Sequence, residues 1–273
     1  SLDGIMLVFT VSVTILMPIA ALAAAKFVPD KAAGVVETPS LRQEFSVVWR
    51  NKPYMRILTA QMILYLGTYM YNAAMVFLIE GPMGLKGKFL SLIMIEYTAM
   101  ILFVPVLIWV SNYLNKHRVI ALGILLQMTA LAVMGFATPG SYWQAAVAFV
   151  LVGISFSSWY IIPTSMIADT VDYGKMRGGA DSAGVYMALF NFIDKLGLAL
   201  AALITLPLLD FLGFNPQGEN TGMALYSVKI VGVFMPMAII FIAVLIYWNY
   251  PIDRRKHNAV IRYNARRERR HAG

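Results

Sequence analysis

The sequence predicts an all-α polytopic membrane protein with about seven transmembrane helices, and three observations predict it. First, the 273 residues are 59% hydrophobic and only 13% charged, whereas a soluble domain carries about 25% charged residues. Second, the mean hydropathy is +0.69, and the apolar residues gather into runs near the ~20 that a helix needs to cross a bilayer. Third, those runs lack the strict alternation of barrel strands, and in lipid a helix satisfies its backbone within one segment.

The elements follow in order. The first apolar run, 4–25, ends in small residues like those of a signal-peptidase site. It has no basic leading region, carries Asp3 at its front and is longer than a signal's apolar core, so it reads as a retained span. Because the chain begins with Ser1 and not Met, we expect a piece of a longer protein. A polar segment, 27–53, comes next. Runs at 54–79, 89–111, 118–137, 142–167, 182–211 and 223–249 then predict six more spans. The turn-forming stretches "EGPMGLKGK" (80–88), "ATPGS" (137–141) and "GFNPQGENTG" (213–222) punctuate them. A basic tail, 251–273, closes the chain.

Lysine and arginine fall almost entirely on alternate connections. One side holds Lys26, Lys31, Arg42, Arg50, Lys52, Arg56, Lys116, Arg118, Lys175, Arg177 and the tail, while the other holds Lys86 and Lys88. The rich side is read as cytoplasmic, placing the N-terminus outside and the C-terminus inside a plasma or inner membrane. The net charge of +8 then needs no nucleic-acid partner: the tail acts as a topology signal attracted to anionic lipid. No cysteine is present, and His117, His257 and His271 lie outside the apolar runs, so neither a thiolate nor a histidine metal site is expected. No glycine-rich loop follows a strand and no serine–histidine pair sits in a pocket, so we expect no enzyme and no cofactor.

Polar residues inside the spans mark the candidate site. Asp194 and Lys195 stand side by side in "ALFNFIDKLGLALAAL" (188–203). A mid-bilayer lysine costs about 3 kcal/mol on insertion scales, so it marks a functional site by default. Asn191 shares its helical face, whereas Asp194 points about 100° away and need not pair with it. Gln61, Tyr65, Thr68, Tyr69 and Asn72 recur at spacings of three and four, forming a polar stripe. Tyrosine rings and amides suit a sugar's C–H face and hydroxyls, and helix–helix hydrogen bonding is the alternative use of the stripe. Ser155, Ser158 and Trp159 make a shorter face in the fifth span, near a kink expected at Pro163. Glu96 and Lys229 lie inside spans toward the outer side, as path residues or as structural pairs.

The stretch "MIADTVDYGKMRGGADSAGVYMALFNFIDKLGLALA" resembles the glycoside–pentoside–hexuronide:cation symporter family, the melibiose-permease-like branch of the major facilitator superfamily. The matching elements are Ala168-Asp169, Val171-Asp172-Tyr173-Gly174, and Phe192, Lys195 and Gly197; "WRNKPYMRIL" (49–58) also resembles the start of that family's seventh helix. The resemblance implies helices 6–12 of a twelve-helix transporter. Residues 1–26 would be the last helix of the N-terminal half, 27–53 a cytoplasmic linker, 54–250 the C-terminal six-helix bundle and 251–273 a cytoplasmic tail. It implies a small-molecule substrate such as a sugar or glycoside, and a lysine at 195 beside the sugar and cation sites. The coupling cation, Na+ or H+, would bind mainly in the N-terminal half, the bundle's expected partner. Asp169, Asp172, Tyr173, Lys175 and Arg177, at the cytoplasmic edge, would form gate contacts between rocking halves. The alternative is a solvated loop in which Asp181 or Ser182 caps the next helix. Where the superfamily carries an Asp-Arg-x-Gly-Arg/Lys loop, this chain reads "SNYLNKHR" (111–118), so that loop's usual salt bridge is expected to be missing. Two other classes fit parts of the pattern: a seven-helix receptor or retinal protein, and a same-fold carrier of lipid or drug.

Overall fold

The computed structural model describes residues 2–27, 41–177, 183–216, 218, 220 and 222–271. The chain divides into two units, Ser1–Pro39 and Ser40–Gly273. In the first, α1 (Leu2–Phe27) carries an apolar stretch, Thr10–Phe27, long enough to cross a membrane.

The second unit is helical throughout its regular structure: α2 (Leu41–Arg50), α3 (Lys52–Glu80), α4 (Phe89–Tyr113), α5 (Lys116–Gly135), α6 (Tyr142–Met176), α7 (Ala183–Phe211), α8 (Gly222–Lys229), α9 (Met235–Trp248) and α10 (Arg254–His271). Ile230–Phe234 joins α8 to α9 as a π-helical turn, making one continuous span of the three. Among the described residues, seven helices are long and apolar enough to cross a membrane and no strand forms. The protein is a multi-pass membrane protein.

Within this unit α3 packs on α7 and α9, α6 on α4 and α5, and α5 on α9. The helices approach through small residues, because apolar burial draws no helices together where the solvent is hydrocarbon. A Cβ on Gly153 of α6 would stand 2.2 Å from the Glu96 carbonyl oxygen of α4. Likewise, one on Gly197 of α7 would meet the Tyr65 side chain, and one on Gly232 the Ala74 side chain. On α4 only Leu92, Glu96 and Ala99 are buried, while α3 and α6 are buried on most of their faces.

Three local features differ from the sequence reading. α6 runs to Met176, so Asp169, Asp172, Tyr173 and Lys175 lie on its last turns and not in a loop. The 27–53 segment carries α2, and the tail is a helix, α10. Residues 28–40 and the cap candidates Asp181 and Ser182 lie outside the described residues.

Candidate functional site

The polar stripe of α3 divides between the bundle interior and its flank. Gln61, Tyr65 and Thr68 are buried, whereas Tyr69 and Asn72 are half-buried. The interior part begins with a proline. Pro163 has no N–H to offer the carbonyl four residues back, which is that of Trp159. Gln61 Nε2 fills this gap, donating to Trp159 O at 3.3 Å, and Gln61 Oε1 accepts from the Tyr247 hydroxyl at 2.5 Å. Alongside, Gln127 Oε1 accepts from Trp159 Nε1 (3.1 Å) and Ser155 Oγ (3.4 Å), and Gln127 Nε2 donates to Thr68 Oγ1 (3.1 Å). Ser158 turns onto its own helix, donating to Ser155 O at 2.6 Å. The network ties α3, α5, α6 and α9 together. The sequence reading missed Gln127 and Tyr247; a glutamine midway along the apolar α5 was the signal available.

The flank carries the charges. Tyr69 donates to Asp194 Oδ1, and Lys195 Nζ lies 2.9 Å from Asp194 Oδ2. The two charges therefore do pair: although their side chains leave α7 about 100° apart, the lysine chain is long enough to fold back. The Lys195 side chain is 76% exposed and that of Asp194 18%, so the tyrosine–carboxylate pair is sheltered and the ammonium is presented outward. Asn191 and Phe192 are exposed on the same helix. Tyr65 stacks on Tyr69, with ring centroids 5.7 Å apart, and meets Trp159 edge-on at 6.1 Å. Tyr65 thus links the flank to the interior, while Trp159, expected on the path, is 1% exposed and packs within the bundle.

The end of the bundle nearest α10 forms a third cluster. Asn51 accepts from Tyr54 N (3.2 Å), capping α3. Its amide donates to Thr170 O and to the Tyr186 hydroxyl, both at 2.8 Å, joining the starts of α3 and α7 to the end of α6. A Cβ on Gly174 would lie 2.9 Å from that hydroxyl, which explains a glycine in the Val171–Gly174 motif. Asp169 bonds Lys116 through both oxygens (2.8 and 2.9 Å), with His257 Nε2 of α10 at 3.4 Å. The lysine that survives in the drifted loop is therefore braced by Asp169, and Arg254 donates to the Asn112 carbonyl at the end of α4. Asn264 of α10 donates to Asp172 O at 2.9 Å, and the Arg177 guanidinium lies 5.9 Å from the centre of the Tyr173 ring. Lys175 sits on the last turn of α6. Outside the spans, the Lys256 backbone N–H holds the Asp253 carboxyl below its ordinary range, and burial raises the Tyr250 phenol.

Glu96 stands apart. It is buried, and its Oε2 has no hydrogen-bond partner. Lys229 donates to Gly135 O at 3.1 Å, using an unpaired carbonyl at the end of α5. Among the described residues Glu96 and Lys229 form no ion pair.

Comparison with known proteins gives a consistent answer. The family model described as MFS/sugar transport protein matches residues 2–254. The glucuronide carrier protein homolog of Escherichia coli is 21% identical over 233 residues, covering 85% of this chain and 51% of that protein. An uncharacterized symporter of Synechocystis is 23% identical over 237 residues, covering 83% of this chain and 43% of its own length. The human sodium-dependent lysophosphatidylcholine symporter 1 is 22% identical over 217 residues, covering 78% and 40%. The chain thus spans about half the length of these relatives or less. A match of this extent displaces the receptor and retinal-protein readings and describes a transporter, not an enzyme. The chain belongs to the MFS/sugar transport protein family.

Proposed function

We propose that the chain is the C-terminal part of a secondary active symporter that couples a cation, sodium or proton, to a sugar or glycoside and works by alternating access. One observation carries this reading: the Tyr69–Asp194–Lys195 chain stands on the flank of an apolar bundle, with its ammonium outward. Exposed charge at this depth is favourable only beside water or a polar partner. A flanking ammonium, a phenol and the Asn191 amide are groups that meet hydroxyls, and Tyr65 and Tyr69 add flat rings. The family's description and the name of the bacterial glucuronide carrier homolog support the same class.

In this reading residues 1–26 end the N-terminal half, 27–53 form the cytoplasmic linker, 54–250 the second half and 251–273 the cytoplasmic tail. The Lys195 flank faces the N-terminal half, which supplies most of the cation's ligands. The excess of Lys and Arg on one side supports a cytoplasmic C-terminus.

A second reading, an amphiphilic substrate, is favoured by the exposed Phe192 and Leu196 beside Lys195 and by the lysophosphatidylcholine symporters among the relatives. Uptake of labelled glycosides, a glucuronide included, into proteoliposomes of the complete transporter tests the two. We expect uptake driven by a cation gradient, and an approximately tenfold or greater loss in Lys195→Ala, the size of one charge-assisted hydrogen bond. Unchanged uptake and cation dependence in that variant would remove Lys195 from the mechanism. Transport of lysophosphatidylcholine alone would establish the second reading.

A further inference from the structure

Glu96 belongs to none of the three clusters. It lies on the narrow inner stripe of α4 with Leu92 and Ala99, seven residues and about 10 Å from the start of the helix. That depth is inside the hydrocarbon layer. The residue is 7% exposed, and Oε2 is buried with no hydrogen-bond partner. Tyr71 of α3 is fully buried, its hydroxyl also lacks a partner, and it lies within electrostatic range of the Glu96 carboxyl.

The helices packed on α4 offer no countercharge at this depth. Besides Tyr71, α3 carries Tyr65 and Tyr69, with Tyr54 near its start, and its charges, Lys52, Arg56 and Glu80, stand near its two ends. α5 carries Lys116, His117 and Arg118 at its cytoplasmic start and no other titratable group. α6 carries Tyr142 at its outer end, Tyr160, and the cytoplasmic Asp169, Asp172, Tyr173 and Lys175. On α4 itself Tyr97 is exposed and Tyr113 ends the helix. An ionised carboxylate in such a medium requires a cation or several donors. The neutral acid requires one acceptor, and a tyrosine oxygen can serve as that acceptor. A metal cation would need more oxygens than these two.

We propose that Glu96 and Tyr71 form a proton-binding site in this bundle, with Glu96 carrying the proton and Tyr71 the neighbouring oxygen. Its role rests on the symporter reading: a proton held here and released when the bundle changes conformation would link transport to pH from the C-terminal half. Its chemistry does not rest on that reading.

Infrared spectroscopy of the complete transporter in lipid, in H2O and D2O, tests the site directly. At neutral pH we expect the carbonyl stretch of a neutral carboxylic acid, absent in Glu96→Gln, shifted in Tyr71→Phe and converted to a carboxylate band as the pH is raised. Loss of a carboxylate band in Glu96→Gln would show the group ionised and overturn the proposal. Disappearance of the neutral band on adding NaCl at fixed pH would assign the site to a metal ion and overturn it equally. Should Glu96→Gln fail to fold, carbon-labelled glutamate in otherwise native protein reads the same band, and an unshifted band in Tyr71→Phe would then sink the pairing. Absence of glycoside uptake would sink the sugar reading while leaving this band where it is.

Discussion

The interior and the flank of the bundle use the same kinds of side chain for opposite ends. On one helix, α3, Gln61 and Thr68 are enclosed by amide, backbone carbonyl and phenol partners. Tyr69, one residue beyond Thr68, reaches Asp194 beside an exposed ammonium. In the interior the Gln61 and Gln127 side chains hold neighbouring helices in place. On the flank the polar atoms hold one another, and the paired Lys195 ammonium still presents N–H groups outward. Polarity inside a membrane span is therefore no guide to function by itself; what separates the two regions is whether the donors and acceptors are already matched.

Breaking the interior should cost the most. Gly153→Leu would drive a side chain into the Glu96 carbonyl and part α4 from α6, and we expect a loss of about 3 kcal/mol, read as a large fall in Tm in detergent or loss of folded protein. Gln127→Leu should come next. It removes three hydrogen bonds, and at about 0.6 kcal/mol each in a membrane interior the loss is about 2 kcal/mol; a Tm shift too small to measure would show that the network is dispensable. The smallest effect on stability belongs to the flank. Tyr69→Phe deletes a single bond and should lower stability by under about 1 kcal/mol, while reducing substrate uptake far more than Gln127→Leu does per folded molecule. Were Tyr69→Phe to unfold the protein instead, the division between interior and flank would fail.

Much of the fold was legible because bilayer thickness and helix rise leave few solutions: the six spans after the first apolar run start and end within a few residues of the runs that predicted them, except that α6 extends nine residues further. That extension was hidden because its last turns, Asp169 to Lys175, are polar yet helical, held by Lys116, Asn51 and α10 and not by lipid. The Asp194–Lys195 pair was visible as an anomaly, but its pairing was not, since spacing along a helix fixes where a side chain starts and not where a long one ends. Gln61 and Tyr65 were found by periodicity, which cannot say which side of a helix meets another helix. Gln127, Tyr247 and Asn51 were missed for the reason that their roles depend on partners distant in sequence.

The π-turn at Ile230–Phe234 has a consequence for how this helix can change. It holds one residue more than an α-turn would, so the segment before it, Gly222–Lys229, is rotated by about 100° from where an unbroken α-helix would put it. That rotation points Ser227 and Val228 inward and brings Lys229 to the last carbonyl of α5. Deleting any one residue of the turn would heal the helix chemically while dialling its first eight residues to a different face. A single codon thus sets the azimuth of eight residues.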